Sequence, residues 1–199
     1  IYVVGDEQIY HFKVLKLTLE KLGMPYAPLI YHLSYGMVDL PEGKMKSREG
    51  KVVDADDLIA EMLQTAEDHT KELGKTEGMN AEEASQLYKV LGLGALKYFM
   101  LKVNAQKRLL FNPQESIDFQ GHTGPFVQYT YARIRSIMRK FEGDYQLPNF
   151  PLTALHPLEK NIIVEINKLP HTISVAAETY DPSVVANYAF SLAKTFNKL

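Results

Sequence analysis

The chain has 199 residues, of which 46% are apolar, and a formal net charge of −2, which is typical of a globular protein with one large domain or two small ones. This near balance of charge excludes binding to nucleic acid by overall charge, so any such surface must be a local basic patch. The chain contains no cysteine, which excludes disulfides and cysteine-ligated metal sites. No apolar run approaches the about 20 residues of a membrane-spanning helix, and we expect no membrane contact.

The first 36 residues predict a strand–helix–strand unit. The run IYVV is typical of a buried strand, and apolar residues recur at helical spacing between Glu7 and Leu22. Gly23 is expected to end this helix, and residues 29–36, LIYHLSYG, are expected to form the second strand. Such units carry parallel sheets, which indicates an α/β domain. Because the chain begins inside a strand and without Met, we expect it to be a piece of a longer protein.

A loop rich in glycine and cations follows the second strand. Residues 34–38, SYGMV, lead into residues 43–50, GKMKSREG, which carry Lys44, Lys46 and Arg48. In a doubly wound sheet a nucleotide lies across the carboxyl ends of the strands, where these cations could stabilise a leaving pyrophosphate. The spacing is not that of a Walker A loop. A solvated hairpin tip is the alternative that these residues alone leave open.

The chain is predicted to be helical after about residue 60. Asp54 is expected to cap a helix whose first-turn aspartates satisfy the helix dipole rather than bind metal. Further helices are expected to start at Asn80, Pro125, His156 and Asp181. The predicted linkers cover residues 73–80, 104–124 and 142–157.

Glycine and proline are expected to interrupt two of these helices. Gly92 and Gly94 predict a break in the helix that starts at Asn80. Pro170 predicts a kink or a split in the helix that starts at His156. The last helix shows no stop signal before the end of the chain.

The cation-rich loop resembles a known signature. Residues 44–50, Lys-Met-Lys-Ser-Arg-Glu-Gly, are similar to the second signature of class I aminoacyl-tRNA synthetases, Lys-Met-Ser-Lys-Ser, in its arginyl form Lys-Met-Ser-Thr-Arg-Lys-Gly. Gln8 and His11 match the Gln-x-x-His of the arginyl family, and SYGMV is similar to its Phe-Gly-Met-Val. GALKYFML, GPFVQYTYARIRSIMRK and DPSVVANYAFSLAKTFNK resemble its helical junction and anticodon-binding helices. Together the segments cover nearly the whole chain in the family's order.

The resemblance implies an α/β plus mainly α fold: the C-terminal part of a Rossmann-like class I catalytic domain, a helical junction and an α-helical anticodon-binding bundle. It divides the chain into residues 1–72, 73–119 and 120–199, the last part being incomplete. It implies ATP-dependent ligation of L-arginine to the tRNA for arginine through arginyl-adenylate. ATP with Mg²⁺ is then a substrate, and no prosthetic group or protein metal site is expected. We expect a cytoplasmic location, and a monomer is the simplest expectation for an oligomeric state that stays open.

The resemblance also implies roles for individual residues. Lys44 is expected to act on the leaving pyrophosphate, and Lys46 and Arg48 are both candidates for the second lysine, because Ser47 occupies that position. The residues expected to bind ATP or arginine are Gln8, His11, Gly36, Met37, Met45 and Ser47, with Gly36 and Met37 offering backbone N–H and C=O groups to adenine.

A basic helix segment is the expected RNA contact. The residues expected to contact tRNA are Gln128, Tyr131, Arg133, Arg135 and Arg139. Tyrosines interleaved with cations suit the splayed bases of an anticodon loop. A solvated helix face is the alternative.

Other interpretations follow from what these residues lack. The family's first signature, His-Ile-Gly-His, does not occur in the chain, so we expect the chain alone to be inactive, and a non-catalytic RNA-binding helical module is the alternative function. A class I enzyme specific for cysteine is disfavoured, because the cysteine ligands of that family's zinc are absent. His32 is interpreted as a histidine packed in the core rather than as a site residue.

Overall fold

The computed structural model describes residues 1–40, 43–44, 54–74, 76–141 and 155–199, with the backbone alone at 40, 43 and 44. The strands are β1 (Tyr2–Gly5), β2 (His32–Tyr35), β3 (Val38–Leu40), β4 (Gly43–Lys44) and β5 (Leu109–Leu110). The helices are α1 (Ile9–Lys21), α2 (Ala55–Glu72), α3 (Ala81–Leu101), α4 (Pro113–Ser116), α5 (Gly124–Lys140), α6 (Pro157–Asn167), α7 (Leu169–Thr179) and α8 (Ser183–Phe196).

The first strands confirm the predicted strand–helix–strand unit. β1 and β2 pair in parallel from Tyr2 opposite His32 to Gly5 opposite Tyr35, and α1 connects them. α1 ends as predicted, since Gly23 directly after its C-cap takes a φ of +72° that favours glycine. β2 is shorter than predicted, because a 3₁₀ turn takes up Ala27–Leu29 ahead of it.

A second small sheet was not predicted. Its strand order is β4-β3-β5, with β3 antiparallel to β4 and parallel to β5. The prediction of an all-helical chain after residue 60 is therefore wrong at β5. A two-residue strand carries no periodicity, and its partner lies about seventy residues earlier in the chain, so no local pattern reveals it.

The hydrophobic core joins α2 and α3 to β5 and the segment that follows it. Its buried members are Leu58, Met62, Ala66, Leu91, Ala95, Phe99, Phe111 and Ile117. The first three recur every four residues on α2 and form its buried face. Phe111 and Ile117 are almost completely buried, and α4 lies between them. The prediction that residues 104–124 form a linker is therefore wrong, because the middle of this segment is part of the core.

The helix α3 runs without a break, so the interruption predicted at Gly92 and Gly94 is wrong. Both glycines lie where another helix crosses closely. A Cβ on Gly92 would stand 2.8 Å from the Met62 carbonyl oxygen of α2, and the side chain of Gln128 on α5 fills the space over Gly94. Because glycine has no side chain, α3 packs closely against α2 and α5 at these positions, and this packing offsets the low helix propensity of glycine.

The remaining helices form the C-terminal part of the molecule. α5, α6 and α7 each pack against α8, and α5 also packs against α3. The helix starts agree with prediction. Thr123 is the N-cap of α5, whose first residue, Gly124, is one position before the predicted Pro125. His156 forms a capping box at α6, and Asp181 accepts the Ser183 N–H at the start of α8. The predicted split at Pro170 is confirmed, since α6 and α7 are separate helices. No helix in the described ranges is long and apolar enough to cross a membrane.

Candidate functional site

The backbone of Lys44 lies next to the strand that leaves the parallel sheet. β3 begins three residues after β2 ends, and it places Asp39 opposite Lys44 on β4. Lys44 is thus held at the start of the cation-rich loop by strand pairing. Met45, Lys46, Ser47 and Arg48 lie outside the described residues, so their expected roles stay predictions.

Gly36 and Met37, expected to present backbone groups to adenine, are partly engaged inside the chain. The Gly36 N–H donates to the Ala105 carbonyl at 2.7 Å, and the Met37 carbonyl accepts the Leu109 N–H at 3.1 Å. A Cβ on Gly36 would stand 2.6 Å from the Lys107 carbonyl oxygen. The Gly36 N–H is therefore already hydrogen-bonded within the chain. If these two residues bind adenine, the N–H donor has to be that of Met37.

Gln8 and His11 lie at the carboxyl end of β1. Gln8 is the N-cap of α1 and His11 is in its first turn, and both side chains are exposed. Gly5 pairs with Tyr35, so the residues that follow β1 and β2 emerge at the same sheet edge. The structure therefore brings Gln8 to the edge that also carries Gly36, which is where a nucleotide binds in a doubly wound sheet.

Two residues interpreted as structural bond within the chain, although His32 is only half-buried and lies outside the buried core. The Nε2 atom of His32 lies 3.0 Å from the Val4 carbonyl, and its ring stacks on Phe12 with centroids 4.2 Å apart. Asp54 accepts the Asp56 N–H at 3.1 Å and caps α2. Within the described ranges, no group of three or more His, Asp or Glu side chains is arranged to hold a metal ion.

Gln128, expected to contact tRNA, instead connects two helices. Its Nε2 atom donates to the Val90 carbonyl of α3 at 3.0 Å, and its Oε1 atom is buried without a hydrogen-bond partner in the described part of the chain. The side chain lies against Gly94. Its position does not bring it to the exposed face of α5, which the expected role requires.

The other residues expected to contact RNA fall into two groups: three form an exposed stripe on α5, and one packs against α8. Tyr131, Arg135 and Arg139 recur every four residues on α5 and form one exposed stripe, in which Tyr131 is 64% exposed. Arg133 lies beside this stripe and contacts α8, with its Nη1 atom 3.3 Å from the Asn197 Oδ1 atom. The guanidinium also lies 6.0 Å from the ring centroid of Phe196. Arg133 is thus part of the packing between α5 and α8.

Sequence reasoning missed the turn at residues 104–107, which contacts both halves of the molecule. Asn104 donates to Asp181 next to α8, while Ala105 accepts from Gly36 next to β2. A cleft of about 320 Å³ opens beside it and is also lined by Tyr31 and Tyr180. No local sequence pattern marks the turn, because its partners come from distant parts of the chain.

The two halves of the chain match two family descriptions. Residues 1–112 match the catalytic domain of class I (R) tRNA synthetases, and residues 127–199 match the DALR anticodon binding domain. The fold is therefore that of a class I aminoacyl-tRNA synthetase, with part of a catalytic domain joined to an anticodon-binding domain. Within that class, the chain belongs to the arginyl-tRNA synthetase family.

Individual relatives agree with this placement. The chain is 55% identical over 206 aligned residues to an arginine–tRNA ligase of Amoebophilus asiaticus, which covers 100% of this chain and 34% of that protein. The corresponding ligase of Flavobacterium psychrophilum is 54% identical, with 99% and 32% covered. The Thermus thermophilus arginyl-tRNA synthetase structure superposes with a TM-score of 0.84 at 28% identity, over 98% of this chain and 32% of that one. The chain thus spans about a third of the length of the curated relatives it matches.

Proposed function

We propose that the protein to which this chain belongs ligates L-arginine to its tRNA, using ATP with Mg²⁺ as a substrate. The observation that carries the proposal is the position of Lys44. Lys44 lies on β4, which pairs with the strand that follows the parallel strand–helix–strand unit. The same chain also carries the exposed stripe Tyr131, Arg135 and Arg139. A phosphate-binding loop and an RNA-binding face on one chain suit an enzyme that uses both ligands.

The proposed reaction has two steps. The arginine carboxylate attacks the α-phosphate of ATP and pyrophosphate leaves. A hydroxyl of the terminal ribose of the tRNA then attacks the carbonyl carbon of arginyl-adenylate, which forms the ester and releases AMP. This chemistry depends on positioning and charge stabilisation more than on a protein base. Lys44 stabilises the charge that develops on pyrophosphate, and either Lys46 or Arg48 replaces the second lysine at Ser47. Met45, the next residue of the same signature, is assigned to ATP binding.

The sheet edge is proposed to bind the nucleotide and the amino acid. Gln8 and His11 present an amide and an imidazole there, and both side chains are exposed. The Met37 N–H is the backbone donor that we assign to adenine, because the Gly36 N–H is already bound to Ala105. Gly36 then serves by allowing the close approach of the 104–107 turn.

The anticodon-binding part is proposed to contact tRNA through α5. Tyr131 stacks on an unpaired base, while Arg135 and Arg139 bind phosphate. Arg133 and Gln128 support this face by holding α5 against α8 and α3. The cytoplasmic location and the monomeric state stay predictions, as do the divisions near residues 72 and 119.

The test compares the longer parent protein with this chain alone. We expect the parent to charge tRNA with arginine when ATP is present and this chain to show no turnover, because the His-Ile-Gly-His signature is absent from its residues. The measurements are aminoacylation and arginine-dependent exchange of pyrophosphate into ATP. A parent that binds tRNA but neither activates nor transfers arginine would favour the non-catalytic RNA-binding module.

A further inference from the structure

The turn that follows α3 is shaped by the side chain of Asn104. Its Oδ1 atom accepts the Gln106 N–H at 3.0 Å, and its backbone carbonyl accepts the Lys107 N–H at 3.0 Å. Its Nδ2 atom points the other way and donates to the Asp181 Oδ2 atom at 2.7 Å. One side chain therefore sets the shape of the turn and ties it to the residue that precedes α8 by two positions.

The acceptor of this bond is a charged carboxylate. Burial opposes ionisation of Asp181, but hydrogen bonds from Ser183 and Asn104 together with the charge of Lys107 outweigh it and lower the pKa of Asp181. Its Oδ1 atom accepts the Ser183 N–H at 3.0 Å, at the first turn of α8. A hydrogen bond to a charged partner is about twice as strong as one between neutral groups, so this contact can hold the turn against α8.

The other face of the same turn supports the strand before Lys44. Ala105 accepts the Gly36 N–H at 2.7 Å, and Lys107 packs on Gly36 so closely that a Cβ there would lie 2.6 Å from its carbonyl oxygen. The chain then runs through β5, and directly after it the Phe111 N–H donates to the Asp39 carbonyl at 2.8 Å. Asp39 in turn lies opposite Lys44 in the pairing of β3 with β4.

These contacts form one continuous path of hydrogen bonds and strand pairs between α8 and Lys44. We infer that Asn104 is a positioning residue for the proposed adenylation step, which fixes the strand carrying Lys44 relative to the anticodon-binding helices through its bond to Asp181. The inference rests on the proposed function, and Asn104 itself touches no reacting group. Asparagine suits this place because one short side chain must accept from Gln106 and donate to Asp181.

The chemistry of the pair offers an exchange experiment in the full-length enzyme. Asn104→Asp keeps the acceptor for Gln106 but sets two carboxylates against each other. Asp181→Asn added to it restores the bond in reverse, because the new amide donates to the new carboxylate and still accepts from Ser183. We expect Asn104→Asp to lower the single-turnover rate of adenylate formation about tenfold, and the double variant to recover most of that loss.

The measurements separate positioning from folding. The KM values for ATP and arginine should stay within about twofold, because Asn104 does not touch either substrate, while the rate constant falls. Hydrogen exchange should show faster exchange at the Gly36 and Leu109 N–H groups in Asn104→Asp and recovery in the double variant. Asn161→Asp is the matched control, since it makes the same change at an exposed position of α6.

Two outcomes would overturn the inference. One is an Asn104→Asp enzyme that keeps the wild-type rate, and the other is a folded double variant that shows no recovery. If Asn104→Asp does not fold, Asn104→Ala takes its place: it removes the donor to Asp181 and the acceptor of the Gln106 N–H without adding charge, and an unchanged adenylation rate in it would equally overturn the inference. A wild-type parent that never activates arginine would instead contradict the proposed function.

Discussion

Gly94 and Gly124 meet where α3 crosses α5, and a Cβ on Gly124 would lie 2.5 Å from the Gly94 carbonyl oxygen and 3.0 Å from the Tyr98 Cβ atom. The backbones approach this closely because neither residue has a side chain. The crossing joins α3, which lies within the catalytic-domain match, to the first helix of the anticodon-binding match. It also brings Gln128 against Gly94, which explains why that side chain is turned away from the exposed stripe.

Gly124→Ala is expected to destabilise the protein by about 1 to 3 kcal/mol, the typical cost of forcing an extra methyl group into a packed contact. The neighbour is backbone on α3, so the strain cannot be relieved by turning a side chain. Urea unfolding followed by circular dichroism measures the change. Gly5→Ala is the control, because its Cβ would have only an ordinary contact at 3.9 Å and its φ of −55° suits alanine. Equal stability of the two variants would show that the helices separate easily.

Replacing Arg135 and Arg139 together by alanine should weaken tRNA binding and lower its dependence on salt. If both residues bind phosphate, the slope of log affinity against log salt should fall by about 2, since each lost phosphate contact removes about one unit. Fluorescence titration at several salt concentrations measures the slope. Lys21→Ala with Lys89→Ala removes the same charge from exposed positions elsewhere and should leave the slope unchanged. An unchanged slope in the arginine variant would mean that the stripe does not face RNA.

Lys44→Ala in the full-length enzyme should slow adenylate formation much more than it weakens ATP binding. Pyrophosphate gains charge as its bond to the α-phosphate breaks, so a cation at this point acts mainly in the transition state. Losing it should cost about 3 kcal/mol, or about a hundredfold in rate. Rapid-quench measurements with tRNA present give the rate, and Lys21→Ala is the control for general charge effects. A wild-type rate in Lys44→Ala would contradict this role and favour the alternative that the loop is a solvated hairpin tip.

Tyr98→Phe should destabilise the protein by about 1 kcal/mol near neutral pH, because it removes the hydrogen bond from the Tyr98 hydroxyl to the Ala186 carbonyl at 3.1 Å. Burial raises the pKa of Tyr98 from 10.0 to about 12. Between these values the folded state holds a proton that the unfolded state has lost, so this contribution is complete below about pH 10 and declines as pH rises towards 12.

The pH dependence distinguishes this role from a packing effect. The difference in unfolding free energy between wild type and Tyr98→Phe should shrink above about pH 10, as urea unfolding at a series of pH values would show. Tyr10→Phe is the control, because Tyr10 is 73% exposed. A difference that stays constant up to pH 12 would exclude the buried hydroxyl as its cause.

The sequence by itself determined the order of the main elements and the family resemblance. The strand–helix–strand unit and the capped helices α2, α3, α6 and α8 follow from local periodicity and from capping residues such as Asp54 and Asn80. The cation-rich loop stands out because its residues are contiguous. The stripe Tyr131, Arg135 and Arg139 is visible for the same reason, since its spacing is that of one helix face.

Only the tertiary structure decided what the isolated residues do. Gly92 and Gly94 read locally as a break, yet close crossings with α2 and α5 keep α3 continuous. Gln128 and Arg133 share a helix with the stripe, but their partners on α3 and α8 turn them into packing residues. The Asn104 turn depends on Gly36 and Asp181, which lie about 70 and about 80 residues away in the sequence. Such contacts form when distant segments meet in the folded chain, so a local sequence pattern does not predict them.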